Sequence, residues 1–193
     1  WYAHCPGLKV VAPYSAADAK GLLKMACRMD DPVIFMEHKG LYRQGYAATE
    51  EPDADYLLPF GKGRKVMEGD ELTVITWGAM VQKSMEAVQS LEISPGSVEV
   101  IDLRTLNPLD MDLIETSIMK TSKALVVHED NITNGPGAEI AAIIADKFFE
   151  LLDGPVRRVG AKDSPVPFNW IIEDEILPQT KDVANAIHEL LEY

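Results

Sequence analysis

Short runs of aliphatic and β-branched residues alternate along this chain with longer segments whose apolar residues recur at helical spacing. Nearly continuous apolar runs are typical of strands buried on both faces, and their alternation with helices indicates parallel β-α-β units. The pattern therefore predicts an α/β fold in three layers, with helices on both faces of a mainly parallel sheet. The predicted strands cover residues 8–12, 33–36, 72–76, 98–103, 124–128 and 156–160.

Five segments carry an apolar face with the period of a helix. The first is expected to begin at Ser15, whose hydroxyl caps it, with Asp18 three residues later as a variant of the capping box. The five faces consist of Ala19, Leu22, Leu23 and Ala26; of Val81, Met85 and Val88; of Leu113, Ile114 and Ile118; of Ile140, Ile143, Ile144, Phe148 and Leu151; and of Val183, Ile187, Leu190 and Leu191.

The periodicity disappears between residues 40 and 69, where the chain becomes polar and contains several glycines and prolines. We therefore expect a linker at 43–69 between a first part, 1–42, and a second domain, 70–193. Four strands, each followed by a helix, make the second domain self-sufficient. The first part forms a single β-α-β unit, which has too little sheet to bury both faces unless it packs against the second domain or another copy.

Composition narrows the functional classes. The net charge is −13 and the 18 basic residues are scattered, which argues against nucleic-acid binding and suits a basic partner. The apolar runs are too short and too often interrupted by charge to span a membrane. Cys5 and Cys27 lack the spacing of a zinc site or a disulfide framework, which indicates a reducing compartment. Because the chain begins at Trp1 without a signal-like segment, we expect a cut or processed end.

The last stretch, residues 171–193, is acidic. It carries six acids and one base, Lys181; the acids are Glu173, Asp174, Glu175, Asp182, Glu189 and Glu192. A run of this kind usually forms a solvated surface. A docking site for a basic partner is the alternative.

A glycine-containing loop, Asn134-Gly135-Pro136-Gly137, lies between a predicted strand and a predicted helix, where α/β folds place ligand loops. Free backbone N–H groups at a helix start would suit an anion. The loop lacks both GxGxxG spacing and a following lysine, so a tight strand-to-helix turn is the stronger interpretation.

A second candidate is His128-Glu129-Asp130, at the end of a predicted strand. A histidine there could transfer protons, but no nucleophile or second catalytic group is in view, so structural hydrogen bonding or subunit contact is favoured. His4 and Cys5 are not expected to form a pair of catalytic base and nucleophile, because side chains of adjacent residues rarely point at each other. No complete catalytic motif is present, and the chain does not look like an enzyme by itself.

Several segments in fixed order resemble the β subunits of the pyruvate and branched-chain 2-oxo acid dehydrogenases. They include WYAHCPGLKVV at 1–11 and VIDLRTLNPLD at 100–110; the others are 18–23, 32–39, 41–43, 78–80 and 127–129. One departure is Thr133-Asn134-Gly135-Pro136-Gly137, where the family commonly has Thr-Gly-Gly-Phe-Gly.

The resemblance implies a C-terminal remnant of a pyrimidine-binding domain at 1–42 and a transketolase-type C-terminal domain at 70–193. In that family an αβ pair binds thiamine diphosphate with magnesium, decarboxylates a 2-oxo acid and passes the acyl group to lipoamide. The family's catalytic histidine and cofactor-contacting glutamate precede the position of Trp1, so we expect no catalytic or cofactor-binding residue in this chain.

The resemblance also implies partners and an ion. The partners are an α-type subunit, a second β copy and the basic subunit-binding domain of the dihydrolipoyl acyltransferase, for which the acidic 171–193 stretch is a candidate docking surface. A potassium ion bound mainly by carbonyls is implied at Ala26, Cys27, Met29 and Asp31, where the end of a helix leaves carbonyl oxygens free.

Two rival interpretations remain. One is the equivalent domain of a transketolase or deoxyxylulose phosphate synthase, and the other is a non-catalytic α/β module that binds anions at Gly135 and Gly137. The sequence leaves open whether the substrate is pyruvate or a branched-chain 2-oxo acid, and whether α and β are fused. We expect an intracellular protein, in a bacterial cytoplasm rather than a mitochondrial matrix.

Overall fold

The computed structural model describes residues 1–193. Its strands are β1 (Lys9–Val11), β2 (Val33–Phe35), β3 (Arg64–Met67), β4 (Leu72–Thr76), β5 (Val98–Asp102), β6 (Thr105–Asn107), β7 (Ala124–Asn131) and β8 (Arg157–Ala161). Its helices are α1 (Ala16–Ala26), α2 (Met80–Ser90), α3 (Met111–Thr121), α4 (Pro136–Lys147), α5 (Trp170–Ile176) and α6 (Thr180–Leu191), and short 3-10 turns occupy Lys39–Leu41, Gly45–Ala47 and Phe149–Leu151.

The larger sheet has the strand order β3-β5-β4-β7-β8, in which only β3 is antiparallel to its neighbour. One apolar cluster joins one face of this sheet to α2 and α6. A second cluster joins the opposite face to α3 and α4. The central strands β4 and β5 and the first five residues of β7 are buried because both faces are covered, which explains their unbroken apolar runs; the edge strands β3 and β8 are more exposed. The predicted three-layer α/β fold is confirmed.

The smaller sheet has the order β2-β1-β6, with β1 and β2 parallel and β6 antiparallel to β1. Strand β6 belongs to the second part of the chain, directly after β5. The first part therefore does pack against the second, which supplies the third strand and part of the burial that a lone β-α-β unit lacks.

Four elements differ from the sequence-based expectation, and one of them, β6, was not predicted as a strand. The segment expected to be a linker, 43–69, contains β3 near its end, because Arg64 and Lys65 pair with buried acids and thereby hide the strand's apolar pattern. Helix α4 ends at Lys147 instead of continuing to Leu151, since Phe148 leaves the helical conformation. Helix α5 was not predicted at all. No helix combines the length and the apolar character required to cross a bilayer.

Candidate functional site

A cleft of about 1040 Å³ lies at the ends of β7 and β8, beside the first turn of α4. Asn134, Gly135 and Pro136 line it, although the sequence favoured a tight strand-to-helix turn over a ligand loop at these residues. The carboxylates of Asp130, Glu139 and Asp163 line the same cleft; they favour a cation and oppose an anion. The electrostatics therefore do not fit a phosphate at this helix start, and the anion-binding interpretation loses its support.

The presence of glycines in this loop is explained by close packing against the side chain of His128, and not by ligand binding. A Cβ atom built on Gly137 would lie 2.2 Å from Cδ2 and 2.3 Å from Nε2 of His128, and one on Gly135 would lie 2.8 Å from Cε1 of the same ring. Gly160 on β8 borders the ring as well, with its Cβ position 3.0 Å from Cε1. The glycines allow α4 to pack directly on the imidazole.

His128 is almost completely buried on β7, and its ring stacks on Trp77 with centroids 5.6 Å apart and planes 2° apart. Neither ring nitrogen has a hydrogen-bond partner. Burial lowers the pKa of His128 below its usual 6.5, so the ring is neutral near neutral pH. The structure thus gives His128 a packing role. Of the two roles expected for this strand end, the structural hydrogen bond is made by Glu129 and not by His128, and the subunit contact stays a prediction.

The neighbouring Glu129 makes a contact that the sequence did not reveal. Its Oε2 lies 2.8 Å from Nε2 of His38, which follows β2 in the first part of the chain. The hydrogen bond to Glu129 raises the pKa of His38 above 6.5, against an opposing effect of burial. This half-exposed pair therefore links the two parts of the chain most strongly when His38 is protonated.

Replacing His38 with glutamine is expected to remove a pH-dependent contribution to stability. A histidine whose pKa is raised by folding stabilises the protein fully below its unfolded pKa of 6.5, and this contribution is lost as the pH rises through the raised value. Denaturant unfolding at several pH values should show a gap between wild type and variant of at most about 1 kcal/mol, because the two side chains are 36% and 27% exposed and solvent screens the pair. The gap should be present at low pH and close at high pH; one that grows with pH would contradict this assignment.

A buried cluster of four charges is the second link, and we call it the clasp. It consists of Asp18 on α1, Arg64 on β3, Asp102 on β5 and Arg104. Oδ1 of Asp18 lies 2.7 Å from a guanidinium nitrogen of Arg104, and its Oδ2 lies 2.9 Å from one of Arg64. Both aspartates are fully buried. The two arginines thus lie beside two buried aspartates, and the Arg64 side chain is itself 31% exposed.

The backbone shapes the clasp too. Arg104 has a left-handed φ of 58°, rarely adopted by residues other than glycine, asparagine and aspartate, and its N–H donates to Oδ1 of Asp102 at 3.1 Å. Burial, reinforced by the negative charge of Asp18, raises the pKa of Asp102 to about 7. Ser15 caps α1 as predicted and also donates its hydroxyl to Asp18. The sequence predicted that Ser15 caps α1, but it did not reveal the hydrogen bond from the Ser15 hydroxyl to Asp18.

The chain can now be placed among known families. The profile of "Transketolase, C-terminal domain" matches residues 61–183, which include three of the four clasp residues. The chain belongs to the transketolase C-terminal domain family. A second profile, "Transketolase, pyrimidine binding domain", matches residues 1–44. In this transketolase-family chain, Asp18 and His38 lie in the first matched range and their partners lie in the second, so both links bridge the two.

Curated relatives extend the match across the chain. It is 42% identical over 187 residues to "Pyruvate dehydrogenase E1 component subunit beta-1, mitochondrial" of Arabidopsis thaliana, covering 96% of this chain and 52% of that protein. It is 42% identical to "Pyruvate dehydrogenase E1 component subunit beta" of Rickettsia bellii and of Staphylococcus aureus, covering 98% and 99% of this chain and 57% and 58% of theirs. The resemblance seen in the sequence is confirmed. The chain spans little more than half the length of these relatives.

A solved structure shares the fold. "Split gene transketolase, inactive beta4 tetramer" superposes with a TM-score of 0.77 at 24% identity, covering 99% of this transketolase-family chain and 59% of the other. At that identity the likeness shows the fold alone. The division of this chain at 42 and 69 stays a prediction, although the gap between the two matched ranges, 45–60, lies inside the expected linker.

The four residues expected at a potassium site lie together on the surface where α1 ends. Ala26 is the last helical residue and Cys27 caps the helix; the Ala26 carbonyl accepts the N–H of Met29 at 3.2 Å. The Asp31 carboxylate lies 3.7 Å from the Lys9 ammonium. No cluster of three or more histidine, cysteine or acidic side chains suited to a metal occurs in the chain. A cation here would rely on carbonyl oxygens, the ligand type that suits potassium.

Proposed function

We propose that this chain is the C-terminal part of the β subunit of a thiamine diphosphate-dependent 2-oxo acid dehydrogenase that acts on pyruvate. The observation that carries the proposal is the identity of 40–42% over at least 96% of the chain to relatives named as pyruvate dehydrogenase E1 β subunits. These relatives come from plants, an amoeba, a nematode and bacteria. They favour pyruvate over a branched-chain 2-oxo acid.

The proposed role of this part is structural. The clasp and the His38–Glu129 pair hold the transketolase-type domain against the remnant of the pyrimidine-binding domain. The residues present do not fit a site for thiamine diphosphate and magnesium: no metal-suited side-chain cluster exists, and the glycine loop is bordered by carboxylates. We therefore place the cofactor contacts and the transfer of the acyl group to lipoamide outside this chain, which alone should be inactive.

The proposal includes partners. An α-type subunit and a second β copy would complete the enzyme, and the acidic 171–193 stretch would receive the basic subunit-binding domain of the acyltransferase.

Potassium would bind the carbonyls at the end of α1, at Ala26, Cys27 and Met29, with Asp31 beside them. We place the protein inside the cell, in a bacterial cytoplasm rather than a mitochondrial matrix; two bacterial relatives at 42% identity support the bacterial alternative, and a mitochondrial relative at the same identity supports the other.

The test uses the longer gene product that contains this chain, expressed with its α-type subunit. With thiamine diphosphate and magnesium, it is expected to decarboxylate pyruvate in preference to branched-chain 2-oxo acids, whereas the 193-residue chain is expected to be inactive. Thermal unfolding in potassium against sodium chloride tests the ion. Titration with the acyltransferase domain at rising salt tests the acidic docking surface.

Each of these experiments has an outcome that would contradict part of the proposal. Activity on sugar phosphates without activity on 2-oxo acids would favour a transketolase or deoxyxylulose phosphate synthase. Preference for branched-chain acids would correct the substrate. Equal stability in the two salts would remove the potassium site, and a salt-independent affinity would remove the electrostatic docking.

A further inference from the structure

A second cavity, of about 380 Å³, lies between the two matched ranges of the chain, and we call it the interface cavity. Four parallel strands end at it: β1 and β2 of the smaller sheet, and β4 and β7 of the larger one. The residues at or directly after these strand ends that line it include Ala12, Met36, Glu37, Trp77, Glu129 and Asp130. Ligands of α/β proteins bind outside the carboxyl ends of the strands, and pockets between domains are frequent binding sites.

The charged side chains of the interface cavity are three acids and one histidine. Glu37, Glu129 and Asp130 supply the carboxylates, and neither lysine nor arginine lines the cavity. His38 is the one base, and it is already paired with Oε2 of Glu129. In each carboxylate one oxygen is engaged within the protein, by Tyr42, by His38 or by a backbone N–H, and the other has no protein donor. The cavity therefore favours a positively charged ligand.

The rest of the wall is largely apolar, which selects an organic cation over a metal ion. The indole of Trp77 lines the cavity, and its orientation is fixed by stacking on the buried ring of His128. Met36, Leu106 and Pro136 line the cavity as well. The chain contains no cluster of side chains suited to a metal. A cation with an apolar body, in contrast, gains from burial against this wall and from the attraction of positive charge to an indole ring.

We propose that the interface cavity binds a small organic cation, a primary amine or amidine with a flat apolar body. Its charged nitrogen would face the three carboxylates, and its apolar part would pack on Trp77. Because the ligand would contact residues of both matched ranges, its binding would stabilise the contact between them. The inference is independent of the proposed function, which places the contacts of its cofactor outside this chain.

The test is calorimetric titration with benzamidine, an aromatic amidine that is positively charged at neutral pH. Benzamide and benzoate have nearly the same shape, but the first is neutral and the second is negative. We expect benzamidine to bind at least tenfold more tightly than benzamide, and benzoate to show no binding. The titration is made with this chain and with the longer gene product that contains it, and both should bind benzamidine.

Two double variants locate the site. Glu37→Gln with Asp130→Asn removes the two carboxylates of the interface cavity that take no part in an ion pair, and it should weaken benzamidine binding at least tenfold. Glu139→Gln with Asp163→Asn is the matched control. It makes the same two chemical changes in the cleft beside α4, at residues that do not line the interface cavity, and it should leave the affinity unchanged. Equal denaturant midpoints for the two unbound variants confirm intact folding.

A single variant tests the sign of the electrostatic effect. His38→Gln removes the one base of the wall and leaves the carboxylate of Glu129 unpaired, so benzamidine should bind about threefold more tightly. A purely structural role of the His38–Glu129 pair predicts the opposite, because loss of the pair would loosen the contact between the two ranges. Weaker binding in this variant would therefore contradict the proposal.

Other outcomes would also overturn the proposal. Equal affinities for benzamidine and benzamide would mean that the cavity does not select a charge, and equal losses in the two double variants would mean that benzamidine binds to acidic surface in general. Binding to this chain without binding to the longer gene product would mean that the cavity is filled there. Displacement of benzamidine by thiamine diphosphate would assign the cavity to the cofactor. Benzamidine binding in a longer product without 2-oxo acid activity would support the cavity and reject the proposed function.

Discussion

Asp18→Asn is expected to lower the free energy of unfolding by about 3–5 kcal/mol. The variant leaves the guanidinium groups of Arg64 and Arg104 with Asp102 as the one remaining carboxylate of the clasp, so their positive charge is no longer balanced. The Asp18 side chain is only 1% exposed and lies 2.7 and 2.9 Å from the two guanidinium groups. Asparagine keeps the size, and its amide oxygen can still accept the hydroxyl of Ser15, so packing is nearly conserved. Denaturant unfolding followed by circular dichroism measures the effect.

The matched control is Asp112→Asn, the same chemical change in the first turn of α3. Asp112 is 89% exposed and lies 3.6 Å from Lys62, so its loss should cost less than about 0.5 kcal/mol. Similar losses for the two variants would mean that the clasp contributes no more than a surface ion pair. That outcome would also remove the main structural reason for treating the two matched ranges as one unit.

The clasp also predicts a change in pH dependence. Folding raises the pKa of Asp102 from 3.8 to about 7, so its contribution to stability is fully present below pH 3.8 and is lost as the pH rises toward 7. Removing the charge of Asp18 removes one cause of the raised value and leaves Asp102 as the only carboxylate between two arginines. In the Asp18→Asn variant this loss of stability with rising pH should therefore shrink.

Some of this structure followed from the sequence and some did not. Strands β4, β5 and β7 were predictable because burial on both faces requires uninterrupted apolar residues, and Ser15 announced the start of α1. Strand β3 was hidden because its charged residues are neutralised by acids distant in sequence. Helix α5 escaped prediction because it buries nothing and so has no apolar face to recognise.

The clasp was missed although a signal existed. Asp18 lies four residues before Leu22, which puts an acid on the buried face of α1, where a charge needs a partner. The sequence could not show which arginines supply it, since Arg64 and Arg104 are remote along the chain and meet only through β3 and the turn after β5. The glycine loop was predicted as a tight strand-to-helix turn, with a ligand loop as the weaker alternative. The sequence did not show why glycines are needed there: His128 occupies the space that their side chains would need.

That explanation of the glycine loop is tested by Gly137→Ala, for which two effects compete. Alanine is favoured over glycine in a helix interior by about 1 kcal/mol, and the gain is smaller at Gly137 because it is the second residue of α4. The added methyl group would lie 2.2 Å from Cδ2 of His128, which is stacked on Trp77 and has no room to turn away. Overpacking of a buried site typically costs about 1–3 kcal/mol, so we expect a net loss of about 2 kcal/mol in the free energy of unfolding.

A double-mutant cycle identifies the imidazole as the cause. In a His128→Ala background the same alanine at 137 meets no ring, so it should cost nothing or stabilise α4 by up to about 1 kcal/mol. Gly45→Ala is the control for adding a methyl group where no atom lies within 4 Å, and it should change stability by less than about 0.5 kcal/mol. If Gly137→Ala is as costly without the imidazole as with it, the glycine serves the backbone of α4, and the cleft beside it again becomes a candidate ligand site.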